Sequence, residues 1–163
     1  MSNFSYMSPE LKIRTLALAD DTMLSDFGED PTTFRWYDRQ LVQNEIGKLL
    51  KAGACARVRR ISTIRETNQS GIMNISRPRI QIDVLDREAE TARVIANDVI
   101  LFMMKIDLCS LGQFQSPYVG PRQNPVILLN QLARMITGPQ SPGGPVYIET
   151  LDFRVANRED QTL

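Results

Sequence analysis

Histidine is absent from this sequence, so any acid–base residues would have to be carboxylates, lysines or tyrosines, and these show no local motif. Without histidine, the chain lacks the commonest general base near neutral pH and the usual partner of a nucleophilic serine or cysteine. Cys55 and Cys109 are too few to hold a metal ion by thiolates alone. The acidic residues Asp83, Asp86 and Glu88 do not have the spacing of a calcium-binding loop. We therefore predict no catalytic residue and no metal site.

Phosphate-binding loops are missing as well. The sequence contains no GxxxxGK(S/T) run and no GxGxxG run, which are the glycine-rich patterns that cradle the phosphates of nucleotides. Gly143 and Gly144 lie between prolines, which is typical of a stiff loop. We therefore expect no cofactor, and we expect that the protein is not an enzyme.

A set of six arginines is the stronger candidate site, because all six would lie on neighbouring strands if residues 54–85 form a hairpin. They are Arg57, Arg59, Arg60, Arg65, Arg77 and Arg79. One interpretation is a positive patch that binds a partner subunit or another acidic protein, since arginine suits two-pronged contacts with carboxylates. Nucleic acid is a weaker choice of partner because no aromatic residues interleave with the arginines. The other interpretation is a solvated sheet face on which the arginines pair across strands with acids such as Glu66 and Asp83.

The element that must position this set is a strand followed at once by a long helix. Alternation of apolar and polar residues predicts a strand over residues 80–84, and the period then changes to that of a helix. The helix is predicted from Asp86, whose carboxylate would cap it, to Lys105 at its negative end. Its buried side is predicted to be Ala92, Ile95, Ala96, Val99, Phe102, Met103 and Ile106.

The segments before this unit favour helices and one strand. Ser8, Pro9 and Glu10 are typical of a helix start, and that helix is expected to break near Asp20 and to restart before Gly28. The segment 32–51 is predicted as a helix with Gly53 as its stop, or as an extended stretch 32–37 followed by a shorter helix. Residues 54–64 favour a strand with a bulge or an edge position near residues 59–61, and residues 65–77 favour a protruding β-arm.

The segments after the long helix are mostly loops and one strand. Residues 107–124 and 138–145 read as loops, and Val126 to Leu129 as either a strand or the start of a short helix. Val146 to Val155 is predicted as the closing strand with Val146 and Ile148 inward, and Leu151, Phe153 and Val155 would also point inward if the register shifts near Thr150; 157–163 is predicted as a polar tail. The order of elements predicts a single α+β domain, 1–163, with an antiparallel sheet of about four strands and helices on one face.

Charge and composition exclude some classes of partner. Lysine plus arginine equals aspartate plus glutamate at 19 each, so the net charge is zero. A neutral chain is not suited to bulk attraction to DNA or to an anionic membrane. The sequence has no secretory signal and no segment long enough to span a bilayer, so we expect folding in a cytoplasm and no membrane partner.

The arrangement resembles a known family, the tail terminator (tail completion) proteins of long-tailed bacteriophages. The resemblance is carried by RPRIQIDVLDREAETARVIANDVILFMM, in which an IQIDV strand leads into an alanine-spaced helix. It is supported by the opening segment ELKIRTLALADDTMLSDFG and the closing segment VYIETLDFRVANRED, and it covers most of the chain in order.

The resemblance implies a structural virion protein that assembles with itself into a closed ring, a hexamer, on the finished tail tube. Such a ring stops tube polymerisation and joins the tail to the head connector, so the implied partners are the tail tube protein and the connector or stopper protein. It implies location in the tail or neck of a virion, assembled in the host cytoplasm, with DNA passing through without sequence-specific binding. The arm 65–77 and the loops 112–124 and 138–145 would reach neighbours, although each is equally explained as a surface loop.

Two other functions remain open at this point. One is a different head–tail joining or minor tail protein, which would assemble with the capsid connector and not with the tube. The other is a small nucleic-acid-binding module that uses the hairpin arginines, for which we expect a monomer whose DNA binding depends steeply on salt.

Overall fold

The computed structural model describes residues 8–68, 71–106, 108, 126–137 and 143–158, and its architecture is α+β, as predicted. The helices of the described residues are α1 (Pro9–Leu18), α2 (Asp21–Phe27), α3 (Gln43–Leu49) and α4 (Ala89–Lys105). The strands are β1 (Trp36–Tyr37), β2 (Cys55–Asn68), β3 (Gly71–Asp86), β4 (Val126–Ile136), β5 (Val146–Val155) and β6 (Asn157–Arg158). None of the helices within these ranges is long and apolar enough to cross a membrane.

The strands form one sheet in the order β1-β2-β3-β5-β4, and β6 pairs separately with β3. The four long strands are antiparallel to their neighbours, which matches the prediction of about four antiparallel strands. The two-residue strand β1 pairs with β2 in parallel and makes the sheet mixed. Among the described strands, β4 lies at one edge, and β1 covers only the start of β2 at the other edge.

The main core lies between one face of the sheet and the helices α1, α2 and α4. Trp36 is at its centre, with its ring stacked on Phe34 at 5.9 Å and with the edges of Phe27 and Phe102 against it at 5.3 and 6.2 Å. Every residue predicted for the buried side of the long helix is buried, as are the alternating strand residues Ile80, Ile82 and Val84. The strand and helix periods read from the sequence are therefore confirmed.

A second, smaller core lies on the opposite face of the sheet, because successive strand residues point to opposite sides. Cys55, Leu85 and Ile148 belong to it, and Ile46 and Leu49 of α3 pack against it. The α+β class is confirmed, but α3 lies on the other face from α1, α2 and α4, so the helices do not all lie on one face as predicted. Because the sheet has a core on each face, residues of both parities along β5 are buried without any register shift near Thr150. Val146 and Ile148 face the second core, whereas Leu151, Phe153 and Val155 face the main core, and the pairing with β3 runs without interruption.

Side-chain caps start the first two helices. The Leu11 amide donates a hydrogen bond to Ser8 Oγ at 3.2 Å, and Pro9 occupies the first helical position, as predicted. The Met23 amide donates to Asp20 Oδ1 at 3.0 Å, so Asp20 starts α2 and explains the predicted break.

The start of α4 differs from the prediction that Asp86 is its cap. Asp86 still belongs to β3, where it pairs with Tyr147, and α4 begins at Ala89. The Asp86 carboxylate accepts a hydrogen bond from the Glu88 amide at 2.8 Å, which forms a local turn. Because the strand continues two residues further than its alternation indicated, the helix starts later. Lys105 lies in the last turn, as expected.

The segment after α2 follows the second of the two predicted alternatives: a short extended stretch, β1, precedes the short helix α3. Leu50 ends α3, so Gly53 is not its stop. Gly28 turns the chain between α2 and this stretch at φ 131°, and a Cβ atom there would lie 2.3 Å from the Thr33 carbonyl oxygen. This close approach requires glycine.

β2 and β3 form a long hairpin. The pairing runs from Cys55 with Leu85 to Asn68 with Gly71, and the register shifts between Arg60 and Ser62, as the predicted bulge requires. The connection between β2 and β3 consists of residues 69–70 only. It is much shorter than the turn-rich connection that was predicted over residues 65–77. Residues 71–74 of β3 pair with no described strand except β2, so this end of the hairpin extends past the rest of the sheet as an arm.

The C-terminal strands are longer than predicted. Val126 to Leu129 is a strand and not a helix, and it continues as β4 to Ile136 with a bulge after Leu128. Asn157 is buried in β6, so the predicted polar tail begins too early. Residues 109–125, 138–142 and 159–163, with Cys109 and most of the two predicted loops, lie outside the described residues.

Candidate subunit interface

The six predicted arginines lie on β2 and β3, as expected, but they do not form one patch. Arg57, Arg59, Arg77 and Arg79 share the side of the sheet opposite α4, which we call the arginine face. Arg60 points to the other side. The side chain of Arg65 lies outside the described residues.

Arg60 does not belong to the arginine face, because its guanidinium is paired with a helix on the other side of the sheet. Its Nε donates to Glu10 Oε1 at 2.9 Å and its Nη2 to Glu10 Oε2 at 3.2 Å, a two-pronged contact that joins β2 to α1. The register shift after Arg60 follows directly in the strand. Spacing in the sequence could not show this, because the partner comes from a helix fifty residues earlier.

A fully buried carboxylate, Asp83, organises the centre of the arginine face. Arg57 Nε donates to Asp83 Oδ2 at 3.1 Å and Arg57 Nη2 contacts the same oxygen. Thr150 Oγ1 donates to Asp83 Oδ1 at 2.7 Å, and Arg134 Nη2 lies 3.8 Å from Oδ2. These four residues come from β2, β3, β5 and β4 respectively. One carboxylate therefore ties together all four long strands and leaves an excess of one positive charge.

A second ion pair lies beside Arg57, Asp83, Thr150 and Arg134, which we call the Asp83 row. Arg79 Nη2 donates to Asp152 Oδ2 at 2.7 Å, and Arg59 Nε donates to the Gln81 side chain. Arg79 Nε and Asp152 Oδ1 are buried without a hydrogen-bond partner in the structure. Arg77 is exposed further along β3. The arginine face is thus mostly a set of cross-strand pairs, which supports the second of the two interpretations drawn from the sequence.

A shallow cleft borders the arginine face at the β1 edge. Its volume is about 230 Å³, and it is lined by Asp38, Arg39, Gln40, Arg57, Val58 and Arg59. Arg39 lies over the Tyr37 ring at 5.3 Å and forms an ion pair with Glu45. Two of its three arginines already have carboxylate partners, since Arg39 pairs with Glu45 and Arg57 with Asp83, and none of its lining residues is a candidate nucleophile.

Burial and hydrogen bonds account for the titratable groups that the sequence analysis considered, within the described part of the chain. Burial raises the pKa of the Cys55 thiol to about 12, so it stays protonated and unreactive in the folded protein. No group of three potential ligands among the described residues could hold a metal ion. Of the acidic residues weighed from the sequence, Asp83 accepts hydrogen bonds from Arg57 and Thr150, and Asp86 accepts from a backbone amide.

Sequence reasoning missed a carboxyl pair between α2 and α4. The pKa of Asp26 is raised from 3.8 to about 7, mainly by burial and then by a hydrogen bond to Asp98 and by the charges of Asp98 and Asp20. No sequence spacing connects Asp26 with Asp98, since the pair arises only when the two helices pack. It lies away from the arginine face and the cleft, and we assign it to helix packing.

Sequence reasoning also missed the apolar character of the β4 edge. Four large apolar side chains of this strand are between 41% and 56% exposed: Ile127, Leu129, Leu132 and Met135. Arg134 is its one charged residue, and it contains neither lysine nor proline. Natural edge strands usually carry such residues to prevent pairing with other chains. The residues of β4 beyond Leu129 were not predicted as a strand, so this surface was not visible in the sequence.

A comparison with protein-family models finds no match to this chain, and a search of curated proteins finds none either.

Proposed function

We propose that this protein is a non-enzymatic structural subunit that assembles with itself into a ring at the end of a phage tail tube. In this role it stops polymerisation of the tail tube protein and joins the tail to the head connector. The support for the phage assignment is the sequence resemblance, carried by the β3–α4 unit. The support for self-assembly is the form of the sheet.

The observation that carries the proposal is that, among the described residues, the sheet has two different open edges. One edge is the apolar strand β4, and the other is the part of β2 that β1 does not cover. A closed ring of identical subunits requires head-to-tail contacts between two different surfaces on each subunit. An enzyme would need a pocket with convergent reactive groups, and the cleft beside β1 contains none.

The ion pairs of the hairpin weigh against the nucleic-acid-binding module. Arg57 is held by Asp83, Arg60 by Glu10 and Arg79 by Asp152. Arginines engaged with carboxylates are not available to neutralise phosphates without breaking those pairs. The neutral net charge of the chain points in the same direction.

Electron microscopy of the purified protein, alone and mixed with isolated phage tail tubes, tests the proposal. We expect closed rings, attachment at one end of each tube, and arrest of tube growth when the protein is added to polymerising tube subunits. The matched measurement is DNA binding at two salt concentrations, for which we expect no strong affinity.

Two results would replace the proposal with an alternative. Rings that bind a capsid connector but never a tail tube would indicate a different head–tail joining protein. A monomer that binds DNA with steep salt dependence would indicate the nucleic-acid-binding module.

A further inference from the structure

The outer sides of β4 and β2 are both open strand edges. No described strand pairs with residues 127–136 on the side away from β5, and β1 covers β2 only at Ala56 and Arg57. Residues 58–68 of β2 are therefore open on one side within the described part of the chain. Open edges present rows of backbone donors and acceptors that template the addition of another strand.

We propose that β4 of one subunit pairs directly with the open part of β2 of the next copy of this chain, so that the sheet continues from subunit to subunit. The inference rests on the proposed self-assembly and names the surfaces that carry it. The occupant of the β4 edge is a second copy and not a foreign peptide, because the complementary edge is present on the same molecule.

Strand direction supports this pairing. Along the order β2-β3-β5-β4 each strand is antiparallel to its neighbour, so β2 and β4 run in opposite directions. When a second copy is placed beside the first in the same orientation, its β2 is antiparallel to β4. The two strands can then form a regular antiparallel ladder.

Strand length supports it as well. β4 has 11 residues, and β2 has 14, of which three, Cys55 to Arg57, lie at or before the end of the β1 pairing. The remaining 11 residues of β2, 58–68, equal β4 in length.

The side chains at the two edges are also compatible. Ile127 and Leu132 of β4 lie on the arginine face, opposite Arg154 and Thr150 of β5. Ile64 of β2 lies on the same face, opposite Arg77. In a continuous sheet these apolar residues come together on one face, and each is more than half exposed in the single chain. Assembly would remove that apolar surface from water.

Pairing of β4 with β4 of a second copy is the competing arrangement. It would give a two-fold dimer that uses one edge only. The exposed Ile61 and Ile64 of the β2 edge would then stay uncovered. Head-to-tail pairing uses both edges, and it is the arrangement that can close into a ring.

The test uses two double variants in the full chain, one at each edge. Ile127→Lys with Leu132→Lys blocks β4, and Ile61→Lys with Ile64→Lys blocks β2. We expect each variant to be a folded monomer by circular dichroism and sedimentation, because all four side chains are exposed. An equimolar mixture is expected to give a dimer with one copy of each, since one intact β2 and one intact β4 remain. Leu101→Lys, at a 60% exposed position of α4, is the control and should assemble like the natural chain.

Several results overturn this inference. Assembly by either double variant alone overturns it, and a dimer of the β2-blocked variant would indicate the two-fold β4 arrangement. Absence of a dimer in the mixture, or a natural chain that stays monomeric, overturns it too. If blocked variants still form rings that cap tail tubes, the inference fails and the proposed function stands. If the natural chain assembles through these edges but never caps a tube, the proposed function fails and the inference stands.

Discussion

The carboxyl pair between α2 and α4 predicts that the free energy of unfolding depends on pH. The substitution Asp26→Asn should abolish that dependence. The pKa of Asp26 is raised from 3.8 to about 7, first by burial and then by Asp98. A folded-state pKa above the unfolded value means that the folded protein binds more protons between these two pH values. The free energy of unfolding therefore falls as pH rises from about 4 to 7, and this group adds no further change above that range.

The expected size follows from the pKa difference. Each pKa unit corresponds to about 1.4 kcal/mol, so a rise from 3.8 to about 7 sets an upper limit of about 4 kcal/mol. Asp26 is only half-buried, and solvent screening reduces such energies strongly. We therefore expect a loss of about 1–2 kcal/mol between pH 4 and pH 8. Asp26→Asn cannot ionise, so the variant should be more stable than the natural chain by this amount at pH 8 and similar to it at pH 4.

Urea unfolding followed by tryptophan fluorescence measures this difference, since Trp36 is the single tryptophan of the chain and is buried in the main core. Asp30→Asn is the matched control. The Thr32 hydroxyl and nearby amides lower the pKa of the exposed Asp30, so its contribution to stability is present above its unfolded pKa and is lost as pH falls. The control should thus show the opposite trend. If the difference in free energy of unfolding between Asp26→Asn and the natural chain is the same at pH 4 and pH 8, the reasoning is refuted.

Three further predictions follow from the core and the arginine face. Asp83→Ala should lower the free energy of unfolding by about 3–5 kcal/mol, because it leaves the guanidinium of Arg57 without its buried partner; urea unfolding measures this. Gly28→Ala should cost about 1–3 kcal/mol or more, seen as a lower Tm, since its Cβ would lie 2.3 Å from the Thr33 oxygen at φ 131°. In a Cys109→Ser background, Cys55 should react with a thiol reagent at pH 8 about a thousandfold more slowly than in urea, because its pKa is about 12.

Each of these has an outcome that contradicts it. Glu10 forms an ion pair with Arg60 at the surface. If Asp83→Ala lowers the free energy of unfolding by no more than Glu10→Ala does, the Asp83 row does not stabilise the sheet. An unchanged Tm for Gly28→Ala would mean that the chain can relax away from Thr33. Rapid labelling of Cys55 without urea would mean that the second core opens readily.

Capping residues and hydrophobic periodicity were sufficient to predict the features of the fold that depend on a single helix or strand. The cap at Ser8, the alternation of Ile80, Ile82 and Val84, and the helical period of α4 all rest on neighbours in sequence. The bulge after Arg60 was visible because strict alternation fails there. The hairpin that brings most of the arginines together follows from two such strands and a turn.

The features that sequence reasoning missed depend on contacts between distant elements. Asp26 meets Asp98 across two helices, and Arg60 meets Glu10 across a helix and a strand. Asp86 looked like a helix cap because its type and position fit, but its pairing with β5 keeps it in the strand. Propensity cannot decide between two such states when tertiary pairing favours one.

In the proposed assembly the contact surfaces are the two open strand edges and not the hairpin arginines that first suggested a binding site. Arginines on adjacent strands indicate a binding patch only when they lack internal partners, and in the described part of the chain Arg57, Arg60 and Arg79 are paired with carboxylates. Those pairs hold the sheet: the Asp83 row crosses all four long strands. Because it fixes how β4 is placed relative to β2, it also fixes the spacing of the two open edges. In the proposed assembly the charged residues would therefore act indirectly, by aligning two edges that present apolar side chains and backbone hydrogen-bonding groups.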